Sequence, residues 1–409
     1  MTKTQNVVPL LARRFLLSKS SEGFVSFITR VSVVGLALGV LALVVVTSVI
    51  NGFEGELIRV ITGMNGDVIL YSRGDPLTDA KQLEEKIRKV APEVQAISAS
   101  FVTELMVSGP AGVAGAVLEG IDAEAIGKVT SIPDRVISGR LPERDGEVAL
   151  GKALADRIGA TTGSEVKLIA PFIGDGSGGQ AAVAKTLPSH VSGIVQMGMH
   201  EYDSKFIFAT LPAVQAALKQ PDRVTSFKLK LSKPDQSRQV ADRLAENFGY
   251  PFRAKDWGQL NKNLFYAIRL EKVVIAIILT VIVLVAAFNV VSTLMMMIHD
   301  KTREIAILKA MGLRQSQSFR LFCLIGLGIG IVGTALGGAL GLGLTVLIQK
   351  SSWIHIPSDI YYIGFLPVVV RWPEMAMIGF VALLVTFAAT FWPARSVSKR
   401  QPLEGLRYE

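Results

Sequence analysis

Four long uncharged apolar stretches constrain the fold of this chain more than any other feature. A helix needs about 20 residues to cross the hydrocarbon core of a bilayer. The stretches run Val31–Ile50, Val273–Ile298, Leu321–Ile348 and Met375–Trp392. A buried helix of a soluble protein seldom stays uncharged for so long, so the sequence predicts four transmembrane helices.

The placement of positive charge predicts how these helices are oriented. The net charge is +9, and three segments next to the spans are rich in basic residues. They lie on one side of the membrane if the helices alternate in direction, and the positive-inside rule makes that side cytoplasmic. Their basic residues are Arg13, Arg14, Lys19, Lys301, Arg303, Lys309, Arg314, Arg320, Arg395, Lys399, Arg400 and Arg407. The sequence therefore predicts a multi-pass inner-membrane protein with both termini cytoplasmic, and this charge pattern does not indicate nucleic-acid binding.

The predicted organisation alternates spans with segments outside the bilayer. Ahead of the first span, Val7, Val8, Leu11 and Phe15 share one helical face, which is typical of a helix lying in the inner membrane surface. A disordered basic tail is the alternative for this segment. The predicted boundaries are 1–26 for the N-terminal amphipathic helix, 27–51, 273–298, 321–348 and 375–392 for the spans, 52–272 for the exported domain, 299–320 for a cytoplasmic helix, 349–374 for an outer loop and 393–409 for a cytoplasmic tail.

The exported domain is predicted to be an α/β fold built from two halves distant in sequence. The first half reads as a strand at Asp67–Ser72, a helix at Thr78–Ala91 and a strand at Val94–Ser100. The second half reads as a strand, a helix and a strand at Ser226–Leu231, Gln236–Phe248 and Phe252–Trp257. Residues from about 105 to 220 form a β-rich insertion. The predicted fold class is thus a membrane α-helical protein with four transmembrane helices and a large α/β extracytoplasmic domain between the first and second spans.

The sequence contains no recognisable constellation for covalent chemistry. Residues Gly146–Ala153 approach a phosphate-binding loop, but Ala153 stands where a hydroxyl would hold Mg²⁺. A strand leading into a helix explains that segment better. The four histidines show no metal-binding spacing, and the single Cys323 lies inside the third span. We therefore expect no catalytic residue, metal or cofactor in this chain.

Glycines and one loop are the remaining distinctive features. Glycine on one face of a membrane helix lets backbones approach closely. The candidate packing glycines are Gly35 and Gly39 in the first span and Gly326, Gly330, Gly333, Gly337 and Gly341 in the third. The glycine-rich loop Pro171–Pro188, between two predicted strands, is either a plain hairpin tip or an arm that grips a soluble partner. Asn289 is the only strongly polar side chain in the second span that could meet a solute.

A short amphipathic segment between the second and third spans carries the resemblance to a known family. It reads Arg303-Glu304-Ile305-Ala306-Ile307-Leu308-Lys309-Ala310-Met311-Gly312 and follows a span that ends Phe288-Asn289-Val290-Val291-Ser292-Thr293-Leu294. Supporting matches are Asn51-Gly52-Phe53, Glu56-Leu57, Gly193-Ile194, Glu201-Tyr202-Asp203-Ser204, Ser358-Asp359-Ile360-Tyr361, Phe365-Leu366-Pro367, Pro393-Ala394-Arg395 and Pro402-Leu403. The chain resembles the permeases of the lipoprotein-releasing (Lol) system, LolC and LolE, within the MacB/FtsX-like ABC permeases. The glycine-rich loop departs from the LolC-type arm, so a LolC-like, a LolE-like and a combined subunit all stay open.

The resemblance implies partners and site residues. The implied partners are a cytoplasmic LolD-like ATPase dimer that binds ATP and Mg²⁺, a second permease that is identical or paralogous, a periplasmic LolA-like carrier, a triacylated lipoprotein and membrane lipid. The residues expected to contact the ATPase are Asp300, Lys301, Arg303, Glu304, Ile305, Lys309 and Gly312. The expected lipid route is lined by Val46, Ile50, Phe53, Phe265 and Ile268. The expected carrier-binding loop includes Pro171, Phe172, Ile173 and Pro188.

Energetics agree with a sheltered apolar route. Exposing three acyl chains to water costs on the order of 30 kcal/mol, at about 0.8 kcal/mol per CH₂ group. Uncharged spans joined to an exported domain suit such a transfer. They also suit a MacB-like efflux pump, an FtsX-like subunit that transmits a mechanical signal, or a sensor.

Overall fold

The computed structural model describes residues 8, 9, 11, 12, 23–171, 184–350 and 366–399. These fall into two compact units. The helical unit contains the described parts of Met1–Glu54, Ile268–Ile354 and Phe365–Glu409, and the α/β unit contains those of Gly55–Ala267. The predictions for Val7, Phe15, Phe172, Ile173, the glycine-rich loop tip and the C-terminal tail beyond Lys399 lie outside the described residues.

Among the described residues, four helices are long and apolar enough to cross a membrane, which confirms the predicted spans. The helices are α1 Gly23–Asn65, α2 Ala80–Val90, α3 Ile126–Val129, α4 Lys152–Ile158, α5 His200–Asp203, α6 Leu211–Ala217, α7 Ser237–Phe248, α8 Trp257–Leu260, α9 Lys262–Asp300, α10 Thr302–Ala310, α11 Gln315–Lys350 and α12 Trp372–Lys399. The spans belong to α1, α9, α11 and α12. Both α1 and α9 extend well beyond their uncharged stretches, into the segments predicted to belong to the exported domain.

One mixed sheet organises the α/β unit. Its strands are β1 Val68–Ser72, β2 Val94–Gly109, β3 Gly112–Ile121, β4 Val136–Gly139, β5 Glu147–Gly151, β6 Glu165–Pro171, β7 Ala184–Val195, β8 Phe206–Thr210, β9 Ser226–Leu231 and β10 Phe252–Asp256. They are ordered β10-β1-β9-β2-β3-β8-β5-β7-β4, and β6 pairs with β2 and β7. The pairs β3–β8 and β5–β7 are parallel, and the others are antiparallel.

The split α/β arrangement predicted from the sequence is present. The order β10-β1-β9-β2 interleaves the two β-α-β halves, as in a split βαβ fold. Helices α2 and α7 pack on these four strands. Ile87, Val240 and Leu244 of the two helices are buried in one hydrophobic core with strand residues. The prediction that β2 ends at Ser100 was wrong, because the strand continues to Gly109. It pairs with β9 up to Ser100 and with β3 from Ser100 onward, so one strand belongs to both halves of the sheet.

The insertion has its own hydrophobic core. The segment whose sequence approaches a phosphate-binding loop is part of that core. Strand β5 runs directly into helix α4, which begins at Lys152. Leu150, Leu154 and Ile158 from this strand and helix are fully buried in the core of the insertion. The segment from Gly146 to Ala153 is therefore an ordinary strand-to-helix connection, as interpreted from its sequence.

In the helical unit, the third span packs between the first and fourth. Glycines of α11 face Leu36, Ala37, Val40 and Val44 of α1 on one side. They face Thr386 and Thr390 of α12 on another. Close to the N-terminus, Val8 and Ala12 are buried in a hydrophobic cluster with residues of α9, α10, α11 and α12. Val8, which the sequence places on the face toward the membrane surface, is therefore covered by protein, and Leu11 packs against the same cluster.

Candidate functional site

A polar cluster joins three helices of the helical unit. Asn51 of α1 is 1% exposed, and its side-chain amide donates to the Glu374 carboxylate of α12. Lys272 of α9 donates to the Asn51 oxygen at 3.1 Å and to Glu54 at 2.6 Å. Arg371 lies 3.4 Å from Glu54 and 3.5 Å from Glu374. We call Asn51, Glu54, Lys272, Arg371 and Glu374 the Asn51 cluster.

Close backbone contact holds the segment that leads into α12 against α1. The amide of Val369 donates to the Ser48 carbonyl at 3.0 Å. A Cβ atom at Gly52 would lie 2.1 Å from the carbonyl oxygen of Pro367, so only glycine fits here without a shift of the backbone. The first span therefore presents Ser48, Asn51 and Gly52 as a docking surface for residues 367–374.

An apolar cavity of about 310 Å³ lies next to the Asn51 cluster. Spans α1, α9 and α12 supply its walls. Its apolar lining is Leu43, Ile50, Ile275, Ala276, Leu279, Val283, Met377, Ile378, Val381, Ala382 and Val385. Thr47, Thr280, Asn51, Lys272 and Glu374 supply its polar groups. A long apolar wall with a charged end suits an amphiphile whose acyl chain is buried and whose polar part meets the charges.

The structure distributes the five residues predicted for the lipid route between different places. Ile50 lines the cavity, whereas Val46 and Phe53 are half-buried residues of α1 that are not among its lining residues. Ile268 is buried in the helical unit. Phe265 belongs to the α/β unit, where its ring packs edge-on against Trp257 at 4.9 Å. Helix α12, which the sequence did not assign to this route, supplies six of the sixteen lining residues.

The glycines singled out in the third span lie at closer helix contacts than the pair in the first span. A Cβ atom at Gly326 would lie 2.0 Å from the Thr390 methyl group, and one at Gly337 would lie 2.4 Å from the Ala37 carbonyl oxygen. A Cβ atom at Gly330, Gly333 or Gly341 would lie 2.9–3.0 Å from a side chain of a neighbouring span. In α1, Gly39 faces Ile282 and Val283 of α9, and Gly35 faces the exposed Asn289. Each of these glycines therefore faces another span.

The segment predicted to contact an ATPase forms helix α10, with one face covered and one exposed. Ile305 and Ala306 are buried. Arg303, Glu304, Ile307 and Met311 are exposed, and Met311 is 80% exposed. Its exposure was not expected from its spacing with Ile305 and Leu308; it follows from the end of the helix at Ala310. Gly312 has a φ of 102° and stops the helix, as its position suggested.

Charged groups of this segment are already partly engaged within the chain. The Lys301 ammonium lies 2.5 Å from Glu304. Lys309 donates to the backbone carbonyls of Val397 and Ser398 at 2.9 and 3.3 Å. Asp300 is an exposed residue at the end of α9. Lys309 therefore attaches α10 to the last turn of α12, a role that sequence reasoning missed.

The predicted carrier loop is only partly within the described residues. Strands β6 and β7 form the hairpin that carries it, and Pro171 pairs with Ala184 at the end of that hairpin. Pro188 is exposed and pairs with Lys167. Phe172, Ile173 and the glycine-rich stretch lie outside the described residues, so a role in gripping a partner stays a prediction.

Among the described residues, no group of three or more His, Cys, Asp or Glu side chains could hold a metal ion. Cys323 is buried in α11. The sequence alone does not reveal the Asn51 cluster, because its members come from three distant segments. A usable signal was the position of Glu54, Lys272 and Glu374, each just beyond the end of an uncharged stretch.

Comparison with known proteins places the chain in a family. The model of the FtsX-like permease C-terminal domain matches residues 276–402, and that of the MacB-like periplasmic core domain matches residues 29–247. The α/β unit is thus the MacB-like periplasmic domain, inserted between the first and second spans. The chain is 32% identical over 411 residues to a lipoprotein-releasing system transmembrane protein LolC of Xylella fastidiosa, covering 97% of each chain.

Further relatives agree. The LolC protein of Neisseria meningitidis is 32% identical, with 97% of this chain and 98% of the relative covered. The LolE protein of Haemophilus influenzae is 28% identical, with 96% and 97% covered. Among solved structures, the periplasmic region of MacB from Actinobacillus actinomycetemcomitans is 14% identical, and the match covers 50% of this chain and 94% of that one with a TM-score of 0.34. Identity above 30% over nearly the whole length shows that this chain belongs to the LolC/LolE family of ABC transporter permeases.

Proposed function

We propose that this permease subunit extracts triacylated lipoproteins from the inner membrane and hands them to a periplasmic carrier. The observation that carries the proposal is the apolar cavity with the Asn51 cluster at one end. Its walls come from three uncharged spans, so an acyl chain can leave the bilayer without entering water. The charged groups lie where the polar head of such a lipid would be.

The same proposal assigns the partners. A separate ATPase supplies ATP hydrolysis with its own Mg²⁺, and this chain contributes neither a catalytic residue nor a cofactor. The exposed face of α10 docks on that ATPase, with Arg303 and Glu304 beside the apolar Ile307 and Met311. The basic segments next to the spans are cytoplasmic, so both termini lie inside. The loop between Pro171 and Pro188 binds the periplasmic carrier, a LolA-like protein.

A photocrosslinking experiment tests the cavity assignment. A photoreactive amino acid at Ile50, which lines the cavity, is compared with one at Leu340, which is 58% exposed on the third span and does not line it. In membranes that contain the assembled complex and a triacylated lipoprotein, we expect the Ile50 probe to capture acyl chains before ATP is added. We expect the Leu340 probe to capture bulk phospholipid alone.

The outcome distinguishes the proposal from other activities of the wider superfamily. Equal lipoprotein capture at both positions, or capture at Leu340 alone, would contradict the cavity assignment. A subunit that only transmits a mechanical signal would capture no lipoprotein at either position. In a parallel sample, ATP and the carrier are added before illumination, and capture at Ile50 should then fall because the lipoprotein has been released to the carrier.

A further inference from the structure

The end of helix α1 is fixed within the α/β unit by several separate elements. The carbonyl oxygen of Gly63 accepts from the amide of Ser131 at 2.8 Å. The carbonyl oxygen of Met64 accepts from the Lys228 ammonium at 2.9 Å, and this buried ammonium also lies 2.5 Å from Glu119. The last turn of a helix leaves its carbonyls without intrahelical partners. Here, strand β9 and the segment before Pro133 provide partners for two of them.

Tyr202 contacts the end of α1 and the start of α9. The side-chain amide of Asn65, the last residue of α1, donates to the Tyr202 hydroxyl at 2.9 Å. The side chain of Asn261 is a second polar group close to the Tyr202 hydroxyl. The carbonyl oxygen of Asn261 accepts from the amide of Phe265 in the first turn of α9. The Tyr202 hydroxyl is therefore next to two long helices, α1, which contains the first span, and α9, which contains the second.

The segment that carries Tyr202 is itself held rigidly. The fully buried Asp203 carboxylate accepts from the amides of Met197 and Gly198 at 2.6 and 3.2 Å. Gly198 has a φ of 94°, and a Cβ atom at Gly151 would lie 2.4 Å from the Asp203 carbonyl oxygen. The tyrosine ring packs edge-on against Phe206 at 5.7 Å. These contacts hold residues 197–203 together, and we call them the braced loop. The braced loop can therefore move only as a single rigid segment.

A buried tyrosine commonly needs hydrogen-bond partners simply because its hydroxyl is shielded from water. Two features go beyond that need. Both partners are asparagines at helix ends, and those ends belong to the two long helices whose spans line the cavity. Burial also raises the pKa of Tyr202, so its hydroxyl keeps its proton over the pH range in which the protein works.

We propose that the Tyr202 hydroxyl is a positioning group that links Asn65, at the end of α1, with Asn261, at the start of α9. When these two helix ends move relative to each other, the hydroxyl transmits the movement to the braced loop 197–203. The inference goes beyond the proposed function, because it needs an ATP-driven movement of the spans but no particular cargo. The braced loop then changes its backbone hydrogen bonding in step with the two helices.

Hydrogen–deuterium exchange of the full complex in lipid nanodiscs tests the link without any lipoprotein. Exchange is compared between the nucleotide-free state and a state trapped with ATP and vanadate. In the wild-type chain, we expect nucleotide to change exchange both in residues 60–66 and in residues 197–203. In Tyr202→Phe, which keeps the ring and removes only the hydroxyl, we expect the response of residues 197–203 to be lost while residues 60–66 still respond.

Two further variants make the test decisive. Asn65→Leu removes the amide donor from the other side and should abolish the same response. Tyr250→Phe makes the identical chemical change at a side chain that is 91% exposed and should behave as the wild type. An unchanged nucleotide response of residues 197–203 in Tyr202→Phe and Asn65→Leu would overturn the proposal, as would a wild-type chain in which neither segment responds. Either result leaves lipoprotein capture at Ile50 as a separate question.

Discussion

Single side chains tie together distant parts of the helical unit. The Lys309 ammonium satisfies carbonyl oxygens in the last turn of α12, where basic groups also interact favourably with the helix dipole. In the Asn51 cluster, Asn51 and Glu374 are 323 positions apart in the sequence. Neither contact follows from local spacing, because each depends on how the helices pack. Sequence patterns located the charged residues but could not pair them.

Replacing Lys309 should weaken the attachment of α10. Lys309→Met keeps a long apolar stem and removes both hydrogen bonds to the backbone of Val397 and Ser398. A hydrogen bond made by a charged group contributes about 1.5–3 kcal/mol to stability. The Lys309 side chain is half-buried. We expect a lower apparent Tm of the purified full chain in detergent. Arg303→Met, at an exposed position of the same helix, should leave the Tm unchanged; an equal loss in both variants would contradict the assignment.

A charged pair in the α/β unit gives the fold a pH dependence of known sign. Glu147 accepts from Arg140 at 2.6 and 2.9 Å, and this contact lowers the pKa of Glu147 to about 2. A carboxylate with a depressed pKa stabilises the folded state above its unfolded-state pKa, and that contribution is lost as the pH falls through its folded-state pKa. The stabilisation from Glu147 should therefore be complete near neutral pH and decline below a pH of about 4.5.

Glu147→Gln tests this dependence. At pH 7, the variant should unfold at a lower denaturant concentration than the wild type. The difference should stay constant down to about pH 5. It should shrink below about pH 4.5, where Glu147 of the unfolded wild-type chain becomes protonated, and vanish below about pH 2, where Glu147 of the folded chain does. Glu143→Gln is the control, because the Glu143 side chain is 67% exposed and lies farther from Arg140, at 3.4 Å. A stability difference that grows on acidification would show that the sign is wrong.

At the scale of elements, the sequence predicted the type of each long segment better than its limits. Strand β9 was predicted at its observed bounds, Ser226–Leu231. Helix α1, however, continues through Glu54, Glu56 and Arg59 to Asn65. Charged residues end an apolar stretch, yet they do not end a helix, since Glu and Arg are good helix formers. The search for uncharged spans therefore located the membrane segments and underestimated the helices that contain them.

The glycine face of α11 offers a matched pair of substitutions. At Gly337, a Cβ atom would lie 2.4 Å from the Ala37 carbonyl oxygen, whereas at the adjacent Gly338 nothing lies within 4 Å. Gly337→Ala should force α1 and α11 apart and destabilise the helical unit by about 1–3 kcal/mol, the usual cost of overpacking. Gly338→Ala should be neutral or slightly stabilising, since alanine favours the helix. Thermal unfolding of the two purified variants compares them, and equal Tm values would contradict the close contact.

At the scale of the whole molecule, the family assignment and the local geometry answer different questions. Similarity along nearly the full length establishes an ABC permease with a periplasmic domain. The exposed face of α10 is the proposed contact with the ATPase. That face combines the charges of Arg303 and Glu304 with the apolar Ile307 and Met311, while Ile305 holds the opposite face in the core. An apolar patch flanked by charge is typical of a docking surface.

Reversing the charge of Glu304 should therefore uncouple ATP hydrolysis from transport. Glu304 is exposed and pairs with Lys301 at 2.5 Å, so Glu304→Lys breaks that pair and places like charges together without disturbing the core. Like charges at an interface cost several kcal/mol, so we expect lipoprotein release per ATP hydrolysed to fall at least about tenfold, a change that needs only about 1.4 kcal/mol. Glu246→Lys makes the same reversal at an exposed position of the α/β unit and should release lipoprotein normally. The measurement uses vesicles that contain the complete transporter and added carrier. Normal release by Glu304→Lys in a correctly assembled complex would move the ATPase contact away from α10.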